Sequence, residues 1–438
     1  MRTLHPSCRP RPTSIAALAL AVLVSLPAGA RAGHASRTIV VTTAAELQAA
    51  MVPANAGARI VVRAGNYDVD QAMTVPDRAT LVGDGVMLYD GSGLPTGFRS
   101  NGRTAIRATS VLFGDVLTLG DGATLKNLAV EDAAGRASGN PVAVVSREAG
   151  DSIAVRITEC EIVNPNPSGI VPQGPTGRAL VIVTRNPNLG QDPPPHEGST
   201  LQVRMDRSIL RSPAGAIGVF AINFASQSEI ALELRGNVIG GGLSATAGVG
   251  RPDAVTGSAV SVQSQRNLYR SDGSDPTSNG WFLLGGADAP SPAFVSEAST
   301  SNSLRIRSRD DSIEGFATSI LSAGGLRFGP LSAPVSSNSV DLGMRGARLS
   351  STVSDLALYG ALSFADVPAG DDNSLSARVR QTKGSGPRSN QYADSATSSG
   401  NDLGSGNELE FAGTPAGFLR FNEDIEPPPP AEFFEACQ

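Results

Sequence analysis

From about residue 120 the chain alternates apolar and polar positions in short bursts, and the bursts recur. They read Thr124-Leu125-Lys126-Asn127-Leu128-Ala129-Val130, Ser152-Ile153-Ala154-Val155-Arg156-Ile157, Thr200-Leu201-Gln202-Val203-Arg204-Met205 and Glu229-Ile230-Ala231-Leu232-Glu233-Leu234. A weaker copy, Ala259-Val260-Ser261-Val262, follows. Then come Ser303-Leu304-Arg305-Ile306, Ser339-Val340-Asp341-Leu342, Ser374-Leu375-Ser376-Ala377 and Glu408-Leu409-Glu410-Phe411. Alternation with a period of two marks a half-buried strand. The first apolar positions (Leu125, Ile153, Leu201, Ile230, Val260, Leu304, Val340, Leu375 and Leu409) lie 28 to 48 residues apart. Sandwich strands return every ~8–12 residues, so a β-sandwich with irregular turns is the weaker reading. The longer period predicts a solenoid whose coils bury their inward residues against one another.

Asn302, Asn338, Asn373 and Asn407 each stand two residues ahead of a first apolar position. Asn tolerates the left-handed backbone region and bonds its own chain at turns. Stacked Asn side chains also bond from layer to layer. A row of ligand-binding amides is the alternative. The ends of a solenoid need covering. Thr43-Ala44-Ala45-Glu46 is a capping box, and Leu47, Ala50 and Met51 follow at helical spacing, so a short helix is expected over the N-terminal end. At the other end Pro427 to Pro430 cannot join a ladder, and Phe433 and Phe434 are expected to fold back over the last coil.

Composition supports this picture. Aromatic residues make up 5% of the 438 positions, which suits a stacked aliphatic core. Charged residues are 17%, against an average of ~25%, while Gly numbers 49 and Pro 30. Arg2, His5, Arg9 and Arg11 precede the apolar run Ile15 to Leu26, and Pro27 and Ala30-Arg31-Ala32 follow. That is the grammar of a secretory signal over residues 1–32; the run is too short to span a bilayer, and a buried helix is the alternative. The expected organisation is signal 1–32, solenoid 33–425 and Pro-rich tail 426–438, in a secreted or periplasmic bacterial protein without a membrane span. Removing residues 1–32 takes four arginines and no acid, and moves the net charge from −6 to −10. An excess of acid on this scale predicts no basic stripe, which argues against nucleic acid and against an anionic membrane surface. Cys160 and Cys437 remain after export; they either pair or leave Cys160 buried and Cys437 free.

The stretch from Ala45 to Gly85 carries a resemblance. Glu46-Leu47-Gln48-Ala49-Ala50, Arg59-Ile60-Val61-Val62, Gly65-Asn66-Tyr67 and Thr80-Leu81-Val82-Gly83-Asp84-Gly85 resemble the opening of pectin-lyase-like right-handed parallel β-helix proteins. Ala64 stands where the family often has Pro. Thr124 to Val130 resembles the family's first full coil. The resemblance implies an all-β, right-handed parallel β-helix with a short N-terminal capping helix. It specifies activity poorly, since one fold hosts lyases, hydrolases, epimerases and adhesins.

Each of those activities has a residue pattern of its own. The lyase pattern would use Arg211, in Leu210-Arg211-Ser212-Pro213, as base, with Asp206 and Asp253 holding calcium. The hydrolase pattern would use Asp310-Asp311 as paired carboxylates, but its Gly-His-Gly and Arg-Ile-Lys elements are missing. The epimerase pattern is approached by Asp192-Pro193-Pro194-Pro195-His196-Glu197, where three prolines interrupt the spacing; a rigid surface loop explains the same residues. His occurs at His5, His34 and His196, which excludes a multi-His zinc site. Asp192, His196, Glu197 and Arg211 are therefore the catalytic candidates, and no cofactor other than calcium is suggested. Trp281 is the one Trp and could serve as a sugar platform or as packing. The reading that results is an exported β-helix protein contacting polysaccharide without a complete catalytic set. Its rival is a lyase, hydrolase or epimerase acting on acidic polysaccharide.

Overall fold

The computed structural model describes residues 37–412, apart from 110–113, 133–139, 167–168, 172–173, 177, 185–196, 213–216, 251–252, 272–277, 289–296, 328–332, 364–369, 385–389 and 398–404. The expected signal, the Pro-rich tail and Cys437 lie outside the described residues.

The recurrent bursts are strands of one parallel sheet. Twelve strands stack in sequence order: Thr38–Val41, Arg59–Val62, Thr80–Gly83, Thr124–Lys126, Ser152–Thr158, Thr200–Asp206, Glu229–Arg235, Ala259–Gln265, Ser303–Arg309, Ser339–Arg345, Ser374–Arg380 and Glu408–Ala412. From Ser152 onward the register is unbroken: Ile153, Leu201, Ile230, Val260, Leu304, Val340, Leu375 and Leu409 lie on one column. Leu125 departs from the expected alignment, because it pairs with Ile157 rather than Ile153. Its strand has three residues, too few for alternation to fix the register.

After most of these strands the chain turns sharply into one or two further strands. These belong to a 19-stranded set, which the 16-residue strands Ser312–Arg327 and Arg348–Ser363 run through. The coils are thus a parallel β-helix, with Leu, Ile and Val stacked on one another inside. Val203, Leu232, Val262, Ile306 and Leu342 form one such inner column, each at most 2% exposed. Each buried aliphatic side chain contributes ~1.5–3 kcal/mol relative to exposure.

Corners are made by residues in the left-handed region. Arg207, Arg266, Asp310 and Gln381 take φ of 49°, 54°, 57° and 51° directly after their strands. Polar side chains then tie each corner to the next. Ahead of the first-sheet strands, the N–H of Ser199 donates to Ser228 Oγ (3.1 Å) and that of Ser228 to Ser258 Oγ (3.3 Å). Ser258 donates to Asn302 Oδ1 (2.9 Å), Asn302 to Asn338 (3.0 Å), Asn338 to Asn373 (3.1 Å) and Asn373 to Asn407 (3.0 Å). The four asparagines read from sequence are this ladder's later half. A second ladder follows the strands. In it, the Cys160 N–H donates to Ser208 Oγ (3.1 Å), Ser208 to Asn237 Oδ1 (2.8 Å), Asn237 to Asn267 (2.9 Å) and Asn267 to Asp311 (2.8 Å). Both ladders satisfy backbone N–H groups that bend away from the sheets.

The expected capping helix is Ala44–Ala50. Thr43 Oγ1 accepts from the Glu46 N–H, Glu46 bonds back to the Thr43 N–H, and Leu47 and Ala50 are buried in the core cluster. Between the third and fourth first-sheet strands the chain inserts an antiparallel hairpin, Met87–Tyr89 with Pro95–Phe98. Gly83 and Gly85 precede it because a Cβ at either would strike the Asn127 carbonyl.

Candidate functional site

The outward residues of the first sheet set its chemistry. The strand register places Arg156, Arg204, Glu233, Gln263, Arg307, Gly343 and Arg378 on one outer column. Thr158, Asp206, Arg235, Gln265, Arg309, Arg345 and Arg380 form the next. Arg207 and Arg266 join them at the corner. The net acidity predicted no basic stripe; the stacking builds one. Net charge is blind to register, and the acids lie mostly elsewhere.

Part of this face is a groove of about 500 Å³. Its lining includes Arg156, Arg204, Arg207, Arg235 and Arg266, with Asp206 as the one acid, and the hairpin turn Ser92-Gly93-Leu94 supplies the opposite wall. A shallower depression of about 340 Å³ shares Arg156 and Arg204. Asp206 organises the floor: its Oδ2 accepts from Arg204 Nε (2.8 Å) and Arg156 Nη2 (3.3 Å). The hydrogen bond to Asp206 raises the Arg204 guanidinium above its ordinary value, so its charge is permanent. Arg207 pairs with Glu159 (3.2 Å) and Arg235 with Glu233 (3.1 Å). Arg266 has no acidic partner among the described residues. The hairpin is latched by Tyr89, whose hydroxyl donates to Glu159 Oε1 (2.8 Å). Burial and then the Glu159 bond push the Tyr89 phenol up to about 12, so it stays a donor. Five guanidiniums against the three carboxylates of Asp206, Glu159 and Glu233 leave a net positive groove that suits a polyanion, and their planar donor forks match carboxylates.

The candidates from sequence fall in different places. Asp192 and His196 lie outside the described residues. Glu197 is exposed and bridges to Ser226 before the strand Thr200–Asp206, whereas Arg211 ends the strand that follows it, so a whole strand separates the two. Arg211 Nε donates to Glu161 Oε1 (2.7 Å), and Arg103 donates to Glu161 Oε2 (3.0 Å). Arg211 thus shares the Glu161 carboxylate with Arg103. Asp206 ends its strand, while Asp253 precedes Val255–Thr256 at the turn leading into the next one. They therefore stand at opposite ends of the sheet's strands, and no three metal-ligating acids, His or Cys gather among the described residues. Asp310 is an exposed corner residue, and Asp311 closes the second ladder at 1% exposure. Trp281 is fully buried, edge-on to Tyr269 with ring centroids 5.4 Å apart, so it packs and offers no platform. The groove was missed because its arginines come from separate coils and share no motif.

No family model and no curated protein matches the chain. Among solved structures, the chain is similar to an alginate lyase from Paenibacillus sp. str. FPU-7, at 11% identity and a TM-score of 0.21, over 82% of this chain and 98% of that one. It is also similar to PfbA, a surface adhesin of Streptococcus pneumoniae, at 9% identity and a TM-score of 0.18, over 82% and 89% of the two chains. At such scores the likeness carries no argument. The strand pairings on their own establish a parallel β-helix.

Proposed function

We propose that this is an exported protein that binds acidic polysaccharide in the arginine groove of its first sheet, without acting on it. The observation that carries the reading is the convergence of Arg156, Arg204, Arg207, Arg235 and Arg266 under the Ser92-Gly93-Leu94 turn. Guanidiniums from neighbouring coils recur at the ~4.8 Å spacing of stacked strands. A linear polymer with a carboxylate on each sugar presents charge on a comparable scale. Part of the groove's charge is neutralised by Asp206, Glu159 and Glu233, which favours moderate, salt-sensitive association over tight capture.

The test is titration with polygalacturonate, alginate and a neutral glucan. The two uronates should bind, more weakly as salt rises, and the neutral polymer should not. The Arg204→Gln/Arg235→Gln variant should lose at least roughly tenfold in affinity, as expected for two partly exposed charge contacts. Undiminished binding by that variant would overturn the assignment. Release of unsaturated, ultraviolet-absorbing products would overturn the non-catalytic part and restore the lyase reading.

A further inference from the structure

The hairpin that walls the groove is built as a body of its own. Its strands, Met87–Tyr89 and Pro95–Phe98, pair with each other and with neither large sheet. Its turn is knotted: Asp90 Oδ1 accepts from the Ser92 N–H (2.8 Å), the Ser92 hydroxyl (2.6 Å) and the Leu94 N–H (3.0 Å). At the root the Arg99 N–H bonds the Val86 carbonyl (3.0 Å), and the Gly85 N–H bonds the Asn127 carbonyl (3.1 Å). Beyond the root, a single side-chain hydrogen bond among the described residues ties the hairpin to the coils beneath it, the one from Tyr89 to Glu159. Val86 and Leu88 are exposed, so little apolar burial adds to that tie. A two-stranded hairpin is marginal by itself.

The tie is shared with the groove. Glu159 Oε1 accepts from the Tyr89 hydroxyl (2.8 Å) and pairs with Arg207 Nη2 (3.2 Å). Arg207 lines the groove, and so does the knotted turn. An anion entering the groove therefore competes with Glu159 for Arg207. The Glu159 carboxylate is then less neutralised, and a fuller negative charge holds a hydroxyl donor more firmly. From this sharing, and resting on the groove reading above, we infer that the hairpin is a strap that tightens against a bound anionic chain, with Tyr89 and Glu159 as its latch. Glu159 passes the occupancy of Arg207 to Tyr89, and Tyr89 holds the Ser92-Gly93-Leu94 turn in place. Coupling of this kind is reciprocal: whatever the ligand adds to the latch, the latch adds to the ligand. Both are positioning residues, and the strap acts mainly by slowing escape.

Tyr89→Phe keeps the ring and removes the hydroxyl. Amide hydrogen exchange over residues 87–98 reads attachment, because a hairpin off its support frays. In the full chain, an oligogalacturonate should slow that exchange. In Tyr89→Phe the exchange should be faster without ligand, and ligand should no longer slow it. The oligogalacturonate should leave this variant roughly tenfold faster, as for one partly exposed hydrogen bond to a charged group, with its association rate little changed. An unchanged unfolding midpoint confirms that the coils are intact. Glu159→Gln keeps an acceptor for Tyr89 but has no charge for Arg207 to neutralise, so ligand should not slow exchange in its hairpin. Slowing equal to that of the unmodified protein would overturn the relay through Glu159. Unchanged exchange in ligand-free Tyr89→Phe overturns the latch, and faster exchange with an unchanged dissociation rate overturns the strap. If the unmodified protein binds no oligogalacturonate, the groove reading and the tightening fall together, while exchange in the two ligand-free proteins still decides the latch.

Discussion

Asp311 offers a sharp test of how the coils are held together. It occupies the slot that Asn237 and Asn267 fill in the two preceding coils of the same ladder. Its Oδ1 accepts from the Asn267 N–H (2.8 Å) and side-chain amide (3.1 Å), and its Oδ2 accepts from Ser308 Oγ (2.6 Å). Burial pushes its carboxyl up from 3.8 to about 6, against hydrogen bonds that lower it, those of Ser308 first. The neighbouring titratable group is Tyr269, whose hydroxyl shares a 2.9 Å bond with Ser264 and is raised by burial, so it stays neutral in this range. Between pH 3.8 and about 6 the folded protein holds a proton that the unfolded chain has released. The contribution of Asp311 to stability is thus full below pH 3.8 and is lost as pH rises through about 6. A difference of about two units corresponds to about 3 kcal/mol of stability lost by neutral pH. Asp311→Asn keeps the acceptor and removes the charge. Its unfolding midpoint in urea should exceed the parent's at pH 7, and the two should converge near pH 4. A variant that is less stable at pH 7, or whose advantage is the same at both pH values, would refute the reasoning.

Other expectations follow from the same packing. Gly286 lies directly under Asn338, so the added methyl of Gly286→Ala would strike the Asn338 side chain; it should lower stability by ~1–3 kcal/mol, read as a lower thermal midpoint. Cys160 is fully buried and its thiol is pushed up to about 12; it should resist thiol reagents in the folded protein and react after denaturation. Glu161→Gln removes the shared partner of Arg103 and Arg211 and should cost ~1–3 kcal/mol, below the range for fully buried pairs because both arginines are partly exposed. Urea unfolding at pH 7 checks it.

Periodic features were legible in the chain, and features spread across coils were not. Alternation around Leu201, Ile230 and Val260 disclosed the first sheet, and the offset of Asn302, Asn338 and Asn373 disclosed a ladder. The second ladder escaped because Ser208, Asn237, Asn267 and Asp311 differ in identity while sharing one role. The arginine face escaped for a related reason. Arg204, Arg235, Arg309 and Arg345 are far apart in sequence, and register alone assembles them. Sequence left Trp281 open as platform or packing, and its edge-on contact with Tyr269 in the core decides for packing.

Since each coil meets its neighbours and little else, the molecule is a one-dimensional stack with a preferred mode of failure under load. A pull on the last described strand, Glu408–Ala412, is opposed chiefly by its pairing with Ser374–Arg380 and the bond from Asn373 to Asn407, and the end coil has a neighbour on one side only. Tension along the axis should therefore peel coils one at a time. Each would release 28 to 48 residues, ~100–170 Å of slack at ~3.5 Å per residue. For a protein tethered by one end while its face holds a long polymer, such a staircase turns a sudden jerk into a series of small yields.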